Sequence, residues 1–206
     1  MSIYDETPKK TIDKKSIDDP HKEVSDALGN LLEFDDSVVY ITGELSEYSL
    51  CELMIKVRAL LKHRTSKDYK GDTDAPINLI INTNGGDVYE MLGIIDYIKN
   101  LDIKVNTICR GKAMSAGAVI LACGSGQRMA SKHSTIMFHE ASSINVGKQS
   151  DQRANIKHVD NIENMSNTLL AEVTKKDVTF WKENTRTDLY LTAAEALELG
   201  VIDLVI

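Results

Sequence analysis

Apolar and polar residues follow two different spacings through the middle of the chain. The run over residues 77–82 is almost entirely apolar, which is typical of a strand buried on both faces, and Asn84-Gly85-Gly86 ends it before a helical pattern over 88–99. The same spacings then recur, with a strand predicted over 103–109, a helix over 115–123 and a strand over 135–138. Strands that alternate with helices indicate βαβ units, so we predict an α/β fold with a mainly parallel sheet.

Further patterned segments lie on either side of these units. Residues 37–42 predict a strand, and residues 44–63 predict a helix with one apolar face. A much longer helix is predicted over residues 150–180, with an apolar stripe made of Ile156, Val159, Ile162, Met165, Leu169 and Val173. This stripe is interpreted either as a contact between subunits or as a surface that packs on the sheet.

The first 36 residues differ in composition from the rest of the chain. They hold five lysines and ten acidic residues, which gives −5 of the total formal charge of −7, together with two of the three prolines. This composition predicts a mobile acidic arm over residues 1–22, followed by a single domain over residues 23–206. A short helix is expected near the start of the domain, because Val24, Leu28 and Leu31 fall near helical spacing.

The net charge and the lack of long apolar runs argue against several classes of protein. A formal charge of −7 is unfavourable for binding a phosphate backbone, so we expect no nucleic-acid partner. No apolar run approaches the roughly 18 residues that a membrane span needs, and the residues after Met1 do not resemble a secretory leader. We therefore predict a soluble cytoplasmic protein with no membrane partner.

The cysteines and histidines are not spaced for a metal or redox site. The three cysteines, Cys51, Cys109 and Cys123, form no CxxC pair and are predicted to be reduced thiols in the core. His139-Glu140 begins like the HExxH zinc motif, but Ser143 stands where the second histidine belongs. The sequence therefore predicts no metal site.

Ser115 lies where a nucleophile is expected in an α/β protein. The segment Ala113-Met-Ser115-Ala-Gly117 follows a predicted strand and opens a helix, and its small residues resemble those of a nucleophile elbow. The backbone N–H groups of Gly86, on the preceding strand end, and of Ala116 are candidates for an oxyanion hole. The simpler alternatives are that Ser115 is a helix N-cap and that the glycines form a plain turn.

A base and an orienting carboxylate can be assigned by the same reasoning. His139 directly follows the predicted strand 135–138 and is the candidate general base. Asp188 precedes Thr192-Ala-Ala-Glu195, which has the pattern of a capping box, and is the candidate for orienting the histidine. The order Ser, His, Asp differs from the Ser, Asp, His order of the α/β-hydrolases, so that family is disfavoured.

Over residues 37–206 these motifs resemble the proteolytic subunit of Clp protease, the ClpP family. The resemblance is carried by four segments in the family's order, Ile-Asn-Thr-Asn-Gly85-Gly86, Gly111-Lys-Ala-Met-Ser115-Ala-Gly-Ala, Ile-Met-Phe-His139, and the segment from Asp188 to Asp203. It implies a ClpP/crotonase-type fold of repeated ββα units with a protruding handle helix, in a handle region of about 140–180. It also implies that the strand 142–147 pairs across the junction of two rings.

The same resemblance implies a function. A ClpP-like chain is a serine endopeptidase that acts through Ser115, His139 and Asp188, with the Gly86 and Ala116 amides as oxyanion hole. It assembles as two stacked heptameric rings and hydrolyses unfolded polypeptides that an AAA+ unfoldase of the Clp type delivers. It needs no cofactor of its own, since only the unfoldase uses ATP. The chain departs from the family's usual pattern at Thr83-Asn84, at Ala116 and at Glu140-Ala141, and none of these changes removes a triad residue.

Two other functions remain open from the sequence. A catalytically silent ring subunit would share the fold, although such subunits characteristically lose a triad residue. A crotonase-type enzyme would use the paired amides to hold an acyl-CoA enolate and would not need the Ser115, His139, Asp188 set. Labelling of Ser115 by a fluorophosphonate separates these possibilities.

Overall fold

The predicted α/β architecture is confirmed in the computed structural model, which describes residues 37–143 and 146–206. The strands are β1 (Val38–Leu45), β2 (Ile77–Gly86), β3 (Val105–Met114), β4 (Arg128–Ala130), β5 (Thr135–Phe138), β6 (Leu189–Thr192) and β7 (Leu204–Val205). The helices are α1 (Ser49–Arg64), α2 (Val88–Lys99), α3 (Ala116–Ala122), α4 (Gln149–Val173), α5 (Val178–Asn184) and α6 (Ala193–Leu199). The predicted arm over 1–22 and the predicted helix near Val24 lie outside the described residues.

The described strands form one sheet that is mainly parallel, as the sequence predicts. Its main path runs β1-β2-β3-β4-β7, and every pair along that path is parallel. β3 changes partner along its length, because Thr107–Cys109 pairs with β4 and Lys112–Met114 pairs with β5. β5 then pairs antiparallel with β6. The carboxyl ends of β2, β3 and β5 are thereby brought together, which is where α/β proteins place their sites.

The core lies between this sheet and helices α1, α2 and α3. In β2 the side chains of Ile77, Leu79 and Ile81 are fully buried, whereas Ile80, on the other face of the strand, is half-buried. The expectation of a strand buried on both faces is therefore met on one face only. Every residue of α3 is buried, which explains its wholly apolar composition, and its first three residues are small where the helix begins beside the sheet.

The predicted single helix over 150–180 is wrong at its carboxyl end. α4 ends at Val173, where the backbone N–H and the hydroxyl of Thr174 both donate to the Leu170 carbonyl. Asp177 then caps a new helix, because its carboxylate accepts a hydrogen bond from the Phe180 amide at 2.8 Å. The extended backbone of Thr174 and the cap formed by Asp177 therefore separate two helices where the apolar pattern is continuous.

The apolar stripe of α4 is buried in one part of the helix and exposed to solvent in another. Ile162 and Leu170 are buried against the body of the domain, whereas Ile156 is 57% exposed and Met165 50% exposed. Residues 149–158, the first turns of the helix, are all exposed. The helix thus projects from the body at its amino end and packs on the body at its carboxyl end. None of the described helices is both long and apolar enough to cross a bilayer.

Arg128 of β4 forms an ion pair with Asp203, the residue before β7, and also binds the ends of two helices. The Arg128 guanidinium donates to the Asp203 carboxylate and also to the carbonyls of Val173, at 2.6 Å, and Ala122, at 3.3 Å. The hydrogen bond from Arg128 is the main cause that holds the pKa of Asp203 below its ordinary value. A lowered pKa means that the carboxylate stabilises the fold above about pH 4 and that this contribution is lost on acidification.

We predict that Asp203→Asn lowers the free energy of unfolding by about 1–2 kcal/mol at pH 7, a modest figure because the carboxylate is partly exposed. The loss should shrink as the pH falls below the ordinary aspartate pKa of about 4 and the native carboxylate is protonated in its turn. Urea unfolding followed by the fluorescence of Trp181, the single tryptophan, measures both values. Glu198→Gln, at an exposed site, is the control, and an equal effect of the two substitutions would contradict the role of the pair.

Candidate active site

Ser115 occupies a strained turn between β3 and α3. Its backbone has φ 54° and ψ −124°, and among the described residues it is the one non-glycine residue with positive φ. Such a conformation costs about 1–3 kcal/mol and persists where the surroundings enforce it. The Ser115 side chain makes no capping hydrogen bond to α3, so the interpretation of this serine as an ordinary N-cap is wrong. The hydroxyl is therefore not used to cap the helix that it precedes.

Hydrogen bonds on both sides of Ser115 hold this turn in place. The Ser115 N–H donates to the Met137 carbonyl of β5 at 2.7 Å, which ties the turn to the neighbouring strand. The Ser115 carbonyl accepts from the Ala118 amide at 2.9 Å, which begins the helix. The strained residue is therefore fixed between a strand and a helix that are both anchored in the core.

His139 meets Ser115 because of the pairing between β3 and β5. Met114 is aligned with Met137, so that the residue after β5 comes beside the turn after β3. The distance from His139 Nε2 to Ser115 Oγ is 2.8 Å, a hydrogen bond of ordinary length. The two residues that the sequence predicts as nucleophile and base are thus in direct contact, in the geometry that proton transfer needs.

Asp188 lies next to His139 by strand register but is not bonded to it. β5 and β6 pair antiparallel with Phe138 opposite Leu189, so the next residues outward, His139 and Asp188, are cross-strand neighbours. The Asp188 side chain is exposed and accepts a hydrogen bond from the Tyr190 hydroxyl at 3.4 Å. Within the described residues no hydrogen bond joins Asp188 to His139. The structure therefore places two members of the predicted triad in contact and the third beside them.

Gly85 allows β2 to approach the turn at Ser115 very closely. A methyl group built at Gly85 would lie 2.7 Å from the Met114 carbonyl oxygen, 2.8 Å from Ser115 Cβ and 3.0 Å from the Ala116 nitrogen. The φ of Gly85 is +96°, which also favours glycine. No other residue fits here without displacing the serine or the amide that follows it. The glycine pair is therefore more than a plain turn, because Gly85 lies in close contact with the turn at Ser115.

Thr83 fixes the glycine segment from within the core, a role that the sequence did not reveal. Its side chain is fully buried, and its hydroxyl accepts from the Gly85 N–H at 2.9 Å while donating to the Gly43 carbonyl. Its methyl group also occupies the space beside Gly117, where an added Cβ would lie 2.3 Å away. One threonine thus links β1, β2 and the helix that follows Ser115.

A cavity of about 410 Å³ opens directly beside these residues. It lies between the sheet edge and α4, and its lining includes Ser115, His139, Gly86 and Ala116. Both candidate oxyanion donors therefore line the same space as the serine and the histidine. None of the described lining residues is a lysine or an arginine, whereas three are acidic, namely Asp87, Glu140 and Glu163.

A contact between α2 and α4 borders this cavity. The Tyr89 hydroxyl and His158 Nε2 are 2.7 Å apart, and the two rings stack with their centroids 6.1 Å apart and an interplanar angle of 18°. Tyr89 follows the cap of α2 and His158 lies in the exposed part of α4. This contact joins the projecting helix to the body of the domain. No sequence motif predicts it.

The cysteines take no part in this site. Cys109 and Cys123 are buried, and burial raises the pKa of each thiol to about 11, so neither is a thiolate at neutral pH. The prediction that all three thiols lie in the core is wrong for Cys51, which is exposed on the outer side of α1. Among residues 37–143 and 146–206, no three His, Cys, Asp or Glu side chains are grouped so as to hold a metal ion.

The sequence of the chain is similar to those of known proteins of one family. Residues 34–206 match the family model described as Clp protease. Over 136 residues the chain is 40% identical to the ATP-dependent Clp protease proteolytic subunit 1 of Prochlorococcus marinus strain MIT 9312, covering 66% of this chain and 70% of the relative. The protein of the same name from Rhodococcus jostii strain RHA1 is 29% identical over 172 residues, covering 82% of this chain and 74% of the relative.

We predict that Gly85→Ala disables the site, because its methyl group would displace the Ser115 turn. Gly43→Ala is a matched control: Gly43 also has a positive φ, +80°, but a methyl group there meets nothing within 4 Å. Both substitutions should cost about 1–2 kcal/mol through backbone strain. Only Gly85→Ala should slow the reaction of Ser115 with a fluorophosphonate, by about a hundredfold, as expected for a displacement of roughly 1 Å. Equal reactivity of the two variants would refute the close-contact argument.

Proposed function

The chain belongs to the Clp protease family, and on that basis we propose that it is a serine endopeptidase whose nucleophile is Ser115. The observation that carries the proposal is the 2.8 Å contact between Ser115 Oγ and His139 Nε2 at the edge of the cavity. A serine hydroxyl is a weak nucleophile until a base removes its proton, and a neutral imidazole at this distance can do so. A crotonase-type reaction would have no use for this pair.

The proposed reaction proceeds through an acyl-enzyme. Ser115 Oγ attacks the carbonyl carbon of the scissile peptide bond while His139 Nε2 accepts the hydroxyl proton. His139 then gives this proton to the nitrogen of the departing amine, and the C–N bond breaks. A water molecule, deprotonated by His139, attacks the ester, and Ser115 regains its proton as the new carboxylic acid leaves.

The N–H groups of Gly86 and Ala116 are proposed to bind the oxyanion of the tetrahedral intermediate. Ala116 is the first residue of α3, so its N–H has no acceptor within the helix. Gly86 lines the cavity from the end of β2, where glycine leaves the approach to its amide unobstructed. Preorganised donors of this kind supply a large share of catalysis in acyl transfer.

Asp188 is proposed to orient His139 and to stabilise its protonated form. Its place across the strand pair supports this role, because opposite residues have Cβ atoms about 4.5–5.5 Å apart. A change of the Asp188 side-chain rotamer, away from the Tyr190 hydroxyl, would then suffice to reach the histidine ring. We infer that the active enzyme uses this second rotamer.

The proposal includes the assembly that the family implies, with two stacked heptameric rings around a chamber and an AAA+ unfoldase of the Clp type that delivers unfolded polypeptides. Two exposed apolar side chains on α4 support self-association, since Ile156 and Met165 leave apolar surface in water. The relatives' names include the term ATP-dependent, whereas this chain has no P-loop, so a separate ATPase would supply that dependence. A cytoplasmic location, where ATP is available, completes the proposal.

We predict that Ser115→Ala lowers kcat/KM for a fluorogenic peptide by at least about 10³-fold, because no other group replaces the attacking oxygen. Ser166→Ala is the control, since Ser166 lines the same cavity but has no part in the reaction. Cleavage retained by the Ser115 variant would refute the proposed nucleophile. Binding of acyl-CoA by a protein that cleaves no peptide would favour the crotonase-type function instead.

The proposed assembly of two rings around a closed chamber leads to a second prediction. The purified chain should form rings, cleave short peptides without ATP, and degrade a folded protein only when an AAA+ unfoldase and ATP are added. Ile156→Lys should weaken the assembly, because it places a charge in the proposed contact, whereas Lys157→Ala at the neighbouring exposed position should not. Analytical ultracentrifugation measures the assembly. A fully active monomer would contradict the compartment and leave the catalytic pair intact.

A further inference from the structure

One polar side chain in the cavity has no role in the proposed reaction. Asn167 lies on α4, is only 4% exposed and lines the cavity beside Ser115. Its Nδ2 atom is buried and has no hydrogen-bond partner within the described part of the chain. An unpaired amide donor in the interior is unfavourable and calls for an explanation, and a bound substrate that supplies the missing acceptor is one.

A second polar group stands one helical turn away on the same side of α4. Glu163 precedes Asn167 by four residues, so the two side chains are neighbours about 5–6 Å apart at Cβ. Glu163 also lines the cavity, is half-buried and forms no ion pair with a described residue. Apolar Ile162 and Leu170 of the same helix also line the cavity, as does the hydroxyl-bearing Ser166. This wall therefore presents the buried Asn167 amide as a donor and the Glu163 carboxylate as an acceptor beside two apolar side chains.

A primary carboxamide is complementary to this pair. We propose that Asn167 and Glu163 form a specificity subsite for glutamine at the residue whose carbonyl Ser115 attacks; this inference rests on the proposed peptidase function. The Asn167 amide would donate to the glutamine carbonyl oxygen, after a small rotation about its broad terminal torsion. The Glu163 carboxylate would accept from the glutamine NH₂ group. The methylene groups of glutamine would lie against the apolar wall.

Other side chains of similar length form fewer favourable interactions with Asn167 and Glu163. Leucine brings no polar atom, so both groups stay unpaired. Lysine pairs with Glu163 but offers no acceptor to Asn167. Glutamate has the shape of glutamine but adds a negative charge to a cavity with three acidic lining residues and no lysine or arginine among those described. We therefore expect glutamine to be preferred, leucine and lysine to be intermediate, and glutamate to be rejected.

Four fluorogenic peptides that differ only at this residue, glutamine, leucine, lysine or glutamate, test the subsite through kcat/KM. For the intact enzyme the glutamine peptide should exceed the leucine peptide by about tenfold, the effect of one uncompensated hydrogen bond. Asn167→Leu should remove this preference, so that kcat/KM for the glutamine peptide no longer exceeds kcat/KM for the leucine peptide. Asn164→Leu, on the exposed side of the same helix, is the matched control and should retain the preference.

Glu163→Gln provides an independent variant if Asn167→Leu fails to fold. It removes a negative charge and should raise cleavage of the glutamate peptide by about tenfold relative to leucine. Equal or better cleavage of the leucine peptide by the intact enzyme, in a reaction that Ser115→Ala abolishes, would overturn the subsite alone. Absence of cleavage of all four peptides, together with an unreactive Ser115, would overturn the peptidase function and the subsite with it.

Discussion

The backbone conformation of Ser115 is the constraint on which the candidate site depends. A positive φ at a serine is unfavourable, and it persists because β5 accepts the Ser115 amide and α3 is anchored in the core. The same turn needs the close approach of Gly85, which in turn depends on the buried hydroxyl of Thr83. The orientation of the hydroxyl towards His139 is therefore built into the core of the domain rather than into a surface loop.

Much of this arrangement could be predicted from the sequence because its determinants are local. The apolar run of β2, the small residues around Ser115 and the short strand before His139 each specify a strand end or a turn. Parallel strands place their carboxyl ends at one edge, so the meeting of Ser115 and His139 follows from the order of elements. The capping box of α6 was also predictable, since Thr192 and Glu195 satisfy each other within one turn.

The remaining features depend on contacts between distant segments, which local patterns do not contain. β4 and β7 are three and two residues long and exist through their pairing within the sheet. The end of α4 at Val173 is set by hydrogen bonds of Thr174 that compete with a continuous helical pattern. The contact of Tyr89 with His158 and the unpaired amide of Asn167 arise only when α4 lies over the cavity. Both features therefore depend on tertiary structure and could not be predicted from a local pattern.

The most direct measurement of the central claim is covalent labelling of the intact protein with a fluorophosphonate, followed by peptide mapping. Fluorophosphonates react with serines that a neighbouring base activates, so the account predicts a single modified residue, Ser115, in the peptide that joins β3 to α3. His139→Ala should abolish the modification without unfolding the protein, because His139 is half-buried at the edge of the cavity. Modification of a different serine, or undiminished labelling of the His139 variant, would contradict the assignment of Ser115 and His139 as nucleophile and base.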